Sequence, residues 1–215
     1  MEYKNLHEII KILEYLFSKF NELFFDGILQ KPVITIFPYT SRGILGWCTT
    51  WKPWKEKMSP WLDDNSESED GSEGFYEINI CAEYLARPFL EICATLLHEM
   101  VHLKNLQDDI KDCSRNGYYH NMDFKVAAEQ HGLFVEKSPR HGWNQTKLTE
   151  KSVAIITSAY GENQPFGLYR SRQEKTNKQC TKKYICPSCG TIIRATREVR
   201  VTCTDCEIEF KEQVS

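Results

Sequence analysis

Apolar residues recur at steps of three and four from the start of the chain: Leu6, Ile9, Ile10, Leu13, Leu16, Phe17, Phe20, Leu23 and Phe24. That spacing puts them on one face of an amphipathic helix, which Asp26-Gly27 should end. Val33-Ile34-Thr35-Ile36-Phe37, held between Pro32 and Pro38, reads as a short strand. The aromatic and β-branched stretches 44–51 and 75–81 read as two more. A second helix should open near Arg87-Pro88, where proline suits a first turn, and run to about Asn105. A third should follow the capping Asn121 and stop at Gly132, and residues 147–160 predict a fourth. Helices beside short strands point to an α+β class. No internal repeat is visible.

The 215 residues, 41% of them apolar, suffice for one core and a smaller module. No apolar run approaches the ~18 residues of a membrane helix, so no membrane span is expected. The start, Met1-Glu2-Tyr3-Lys4, lacks the basic end and apolar stretch of a signal peptide. Nine cysteines, an odd count with four in two CxxC pairs, then read as reduced thiols and metal ligands, and the expected location is cytoplasmic.

Charge divides the chain. Residues 1–168 carry a net −7 and residues 169–215 a net +4. A basic tail on an acidic body points to a polyanionic partner. The acidic stretch 63–73 (DDNSESEDGSE) reads as a flexible loop at the tip of the sheet. Residues 161–183 turn polar and basic and read as a linker between domains 1–160 and 184–215.

The second helix contains His98-Glu99-Met100-Val101-His102, an HExxH. Residues four apart project from one helical face, so two imidazoles can converge on one ion. Glu99 lies beside the pair, where it can take a proton from water activated by the metal. Phe89, Cys93, Leu96, Met100 and Leu103 form an apolar stripe on the opposite face, while Ala94 and Thr95 leave room on the histidine side. Hydrolytic zinc takes three protein ligands and keeps one position open. For the third, His120 before the next helix is the first choice, with His141 or an acidic residue as alternatives. His131, beside Gly132, reads as a helix cap. Tyr118, Tyr119, Arg140 and His141 are candidates to stabilise an oxyanion.

Cys186, Cys189, Cys203 and Cys206 form two CxxC pairs with a spacer suited to a β-hairpin, a tetrahedral zinc-ribbon pattern. Such a small module should depend on its metal to fold. Two zinc ions are therefore expected, one catalytic and one structural. Residues 169–200 hold nine Lys and Arg against two Glu. Lys182, Lys183, Arg194, Arg197 and Arg200, with Tyr169 and Tyr184 as stacking platforms, are the candidate contacts to single-stranded nucleic acid.

Leu97-His98-Glu99-Met100-Val101-His102 followed by His120-Asn121-Met122-Asp123-Phe124 resembles the SprT family of zinc metallopeptidases. Phe20–Phe25 is similar to that family's opening helix, and Gly46-Trp47-Cys48 with Ile78-Asn79-Ile80 to its paired strands. The resemblance covers most of residues 5–135. It implies a small zincin-like domain with an N-terminal helix, a short three-stranded sheet, the HExxH helix and a further helix, followed by the β zinc ribbon. It also implies His98, His102 and His120 as zinc ligands and Glu99 as catalytic base. Relatives include the Spartan DNA-dependent proteases, so a protein substrate on single-stranded or damaged DNA, including DNA–protein crosslinks, is the expected partner. Oligomeric state is left open. Two other readings fit the same residues: a non-catalytic DNA-associated protein whose site is closed by a fourth ligand such as His141, and a metallopeptidase regulator that cleaves one cognate repressor.

Overall fold

Asn5 starts the first helix by accepting the Glu8 N–H on its side chain, and α1 then runs over Leu6–Phe24. In the computed structural model, residues 5–38, 43–56, 74–161, 165–171 and 181–213 are described. The acidic stretch 63–73, Arg172, Lys175, Lys178 and Cys180 lie outside the described residues. Two compact units emerge, Met1–Arg172 and Gln173–Ser215.

In the first unit α1 buries Ile9, Leu13, Leu16, Phe17 and Phe20, the predicted face. β1 (Val33–Thr35), β2 (Gly46–Cys48) and β3 (Glu77–Ile80) make a three-stranded sheet in the order β1-β3-β2. β1 runs parallel to β3 and β2 antiparallel to it. Buried Asn79 on β3 ties the layer together, its side-chain oxygen accepting the Phe37 N–H.

α2 (Phe89–Gln107) is the central element, packing against α1, the first sheet and a second sheet. It is apolar nearly all round because neighbours cover nearly all of it. The predicted stripe Phe89, Cys93, Leu96, Met100 and Leu103 is buried. After the left-handed turn at Asp109 the chain folds back into β4 (Cys113–Ser114) and β5 (Tyr119–His120). Arg115, Asn116 and Gly117, all with positive φ, reverse it between them.

α3 (Met122–Gln130) is capped by Asn121 and ends at His131, whose Nδ1 bonds the Phe24 carbonyl while its ring stacks on Phe25. The sequence predicts one sheet in this unit, whereas its described residues form two. β6 (Leu133–Ser138) and β7 (Gly142–Leu148) pair antiparallel and complete a sheet of order β4-β5-β7-β6. Pairs of residues such as β4 and β5 are too short to show a period of two, and β7 (GWNQTKL) is too polar to read as a strand. α4 (Glu150–Tyr160) accordingly starts later than expected, at the Thr149 cap.

The stretch read as a linker has structure at both ends. Phe166 is buried against Phe89, and Arg170 bonds the Ala82 carbonyl and Glu83. Lys182 and Lys183 lie inside β8 (Lys182–Ile185) of the second unit. There β8 joins β9 (Ile192–Ala195) and β12 (Lys211–Gln213), and β10 (Thr202–Cys203) pairs with β11 (Ile208–Glu209). No described helix is long and apolar enough to cross a membrane.

Candidate metal centres

His98 and His102 stand one turn apart on α2, and the β4–β5 hairpin brings His120 over them. The three Nε2 atoms lie 3.1–3.2 Å from one another. Ligands ~2.0–2.1 Å from one tetrahedral ion lie about 3.3 Å apart, so the spacing suits a single zinc. Burial, with the neighbouring imidazoles, holds His98 well below its usual pKa and brings His120 to about 4. Neutral imidazoles are what a metal requires. Three lone pairs facing one another without a cation would repel, so the donor set fits zinc on geometry and on chemistry.

Phe124 underlies all three rings, its centroid 4.6 Å from each. The outer nitrogens are partly held. His98 Nδ1 meets the Thr146 hydroxyl on β7 at 3.0 Å, and His102 Nδ1 meets Asp112 Oδ2 at 2.7 Å. With Nε2 free to ligate, Nδ1 carries the proton and donates. Asp112 also accepts from Asn105 at 3.0 Å and from the Cys113 thiol. Burial would raise Asp112, but the bond and charge of His102 and the bond from Asn105 leave it lowered. Burial likewise lowers His102, and the Asp112 bond and charge outweigh it. His120 Nδ1 is buried without a partner among the described residues. Asp112→Ala should weaken zinc binding at this site about 10–100-fold, read by competition with a chelator. Unchanged affinity would mean that Asp112 does not orient His102.

Glu99 is 5% exposed, and burial raises its pKa to about 7 despite a bond from the Cys48 main-chain N–H. β2 reaches it because Gly46 lacks a side chain. A Cβ there would stand 2.7 Å from the Asn79 carbonyl oxygen and 3.2 Å from both Glu99 Oε1 and Thr95 Cγ2. Gly46→Ala should therefore destabilise the first unit by about 1–3 kcal/mol, measured by urea unfolding. A neutral result would mean that the strand shifts freely.

His141 is not part of this trio. It is exposed, and its Nδ1 sits 3.2 Å from the Tyr118 carbonyl. Among the described residues no fourth His, Cys, Asp or Glu donor joins the three histidines. Tyr118, Arg140 and His141 lie on neighbouring hairpin tips, and the Tyr119 ring is covered by Arg115. Nothing in the sequence pointed to Asp112 or Thr146, and it carried Phe124 and Gly46 within the family motifs without a role for either.

The second unit gathers Cys186, Cys189, Cys203 and Cys206, with their sulfurs within 4.8 Å of one another. Cys189 and Cys203 are 3.7 Å apart, close to the ~3.8 Å between thiolates on one zinc. Each knuckle closes through a main-chain bond, Gly190 N to the Cys186 carbonyl and Glu207 N to the Cys203 carbonyl. Hydrogen bonds from Thr191 lower Cys189 to about 6, toward the thiolate a metal needs.

Of the expected nucleic-acid contacts, Arg194, Arg197 and Arg200 are exposed. Lys183 is paired in register with Arg194, and Lys182 is engaged by Glu212 and Glu198. Tyr184 is no stacking platform: it is buried, and its hydroxyl accepts the Val199 N–H. Tyr169 is exposed but belongs to the first unit.

Compared with known proteins, the chain matches no family model, no curated protein and no solved structure.

Proposed function

We propose that the chain is a zinc-dependent endopeptidase of SprT type acting on polypeptide. The observation that carries this reading is the convergence of three imidazole Nε2 atoms with a buried carboxylate beside them, beneath β2. A zinc ion held by His98, His102 and His120 would supply Lewis acidity, polarising the scissile carbonyl and acidifying water.

The remaining work belongs to side chains and main chain. Glu99 takes the proton of the attacking water on a carboxylate oxygen and returns it to the leaving amine nitrogen. In the metal-free chain burial raises its pKa to about 7, which makes it a stronger base than an exposed carboxylate. Desolvation by α2 and β2 is what tunes it there, and the Cys48 N–H keeps it oriented. Thr146 and Asp112 fix the His98 and His102 rings, so the site need not reorganise during reaction. Among the described residues β2 is an edge of its sheet, and an extended substrate can add along it. In the second unit, the four cysteines take a structural zinc. Exposed Arg194, Arg197 and Arg200 on that unit support recruitment of single-stranded or damaged DNA carrying a protein substrate.

The test is degradation of a DNA-binding protein by the zinc-loaded chain, with and without single-stranded DNA, and with Glu99→Gln as control. Cleavage by the parent protein alone is expected, stimulated by DNA. No cleavage under either condition, with zinc bound, would refute the general endopeptidase.

A further inference from the structure

Two hairpin tips beside the metal centre carry cations and no acid of their own. Residues 113–122 contain Arg115 and residues 137–142 contain Lys137 and Arg140, with no Asp or Glu in either stretch; Lys147, further along β7, is paired with Glu136 on β6. Residues 1–168, which include the tips, are net −7, so the tips run against the charge of the chain around them. The tips lie side by side. His120 N–H donates to the His141 carbonyl at 2.9 Å, and His141 Nδ1 is 3.2 Å from the Tyr118 carbonyl. His120 is itself a member of the metal trio, and Cys113 is its strand partner. Arg115 is thus two residues from that pair, about 7 Å along the chain. Arg115, Lys137 and Arg140 are exposed, and among the described residues no carboxylate lies within ion-pair distance of them.

We propose that this rim selects polypeptide substrates with acidic side chains within a few residues of the scissile bond. The inference rests on the peptidase reading above and names its substrate class. Cations at the mouth of a water-poor site raise the local concentration of an anionic segment and orient it before reaction. Single-stranded nucleic acid would use the same charges but would also need open aromatic faces for its bases. Here the Tyr119 ring is covered by Arg115 at 4.9 Å, and Trp143 by Lys125 at 5.2 Å and Lys137 at 5.5 Å. Only Tyr118 and the His141 imidazole are exposed rings among the described residues of this rim. The rim therefore favours an acidic polypeptide.

Two unstructured peptides with one common cleavable centre, flanked by Glu in one and Lys in the other, test it on the full zinc-loaded chain. Their kcat/KM is measured, and their binding to the Glu99→Gln chain is followed by fluorescence anisotropy. The Glu-flanked peptide should be favoured about 10-fold or more in ~50 mM salt, and the preference should shrink in ~500 mM salt. Arg115→Glu with Arg140→Glu should invert it, and Arg115→Gln with Arg140→Gln should flatten it; both positions are exposed, and an unchanged melting temperature checks the fold. Equal handling of the two peptides in both assays would overturn the proposal. So would a single-stranded oligonucleotide that binds through these arginines while the peptides are not distinguished. If neither peptide is cleaved, charge-dependent binding to Glu99→Gln still supports the rim, and it is the peptidase reading that falls.

Discussion

Glu99→Gln should lower peptide hydrolysis by about 10³-fold or more while leaving the zinc content of the protein unchanged. Glutamine keeps the shape and can still accept the Cys48 N–H, but its amide cannot take a proton from water at neutral pH. The ligands His98, His102 and His120 are untouched, so metal stoichiometry separates loss of the base from loss of the ion. Retained hydrolysis in a clean preparation would remove Glu99 from the mechanism. Loss of zinc together with activity would show that the substitution disturbs the site as a whole.

The metal-free protein gives the same substitution a pH signature. Burial raises Glu99 from 4.5 to about 7, so the folded chain keeps a proton that the unfolded chain releases. That stabilisation is complete at acid pH and is lost as pH rises through 7. His120, lowered from 6.5 to about 4, has the opposite sign: its contribution is complete above 6.5 and lost as pH falls toward 4. Each displacement is worth about 3 kcal/mol, so the two offset one another in the parent chain. Glu99→Gln removes only the first. Metal-free Glu99→Gln should therefore lose stability more steeply than the metal-free parent between pH 7 and 4.5, read from urea midpoints. Equal slopes would mean that Glu99 is solvated.

Removing zinc from the second unit, by chelation or by Cys203→Ser, should unfold Gln173–Ser215 while leaving the helices of the first unit formed. The described residues of this unit bury Tyr184, Cys186 and Cys203, and two of these three are thiols of the cluster. A core that small cannot offset the entropy of ordering some forty residues, whereas a tetrathiolate zinc contributes on the order of 10 kcal/mol or more. Amide NMR is the direct measurement: signals from residues 181–213 should collapse to unfolded positions, and those of α2 should persist. Dispersed ribbon signals without metal would show that the β12-β8-β9 sheet stands by itself.

What could be read from the chain is what local spacing dictates. The 3.6-residue period of Leu6–Phe24 and the Asn121 cap set α1 and α3 because both depend on neighbours within one or two turns. His98 and His102 share a face of α2 by the same period, and the CxxC pairs offer their thiols within single turns. His120 stands just before the α3 cap Asn121, which favours it over His141 as the third ligand, but neither residue lies within a turn of the HExxH pair. The two residues lie 21 positions apart in sequence, and the structure brings the β6–β7 turn that carries His141 beside β5, where the His120 N–H donates to the His141 carbonyl.

Tertiary structure decided the rest. Asp112, Thr146 and Phe124 reach the histidines from a fold-back, from β7 and from α3, so only long-range pairing brings them together. The two-residue strands β4 and β5 have no periodicity of their own, and their register comes from β7 across the sheet. The pKa of Glu99 is likewise a property of the packing between α2 and β2, since desolvation depends on what covers a group. The sequence determined which residues could bind metal; the close approach at Gly46 and the second sheet decided which of them meet and in what protonation state.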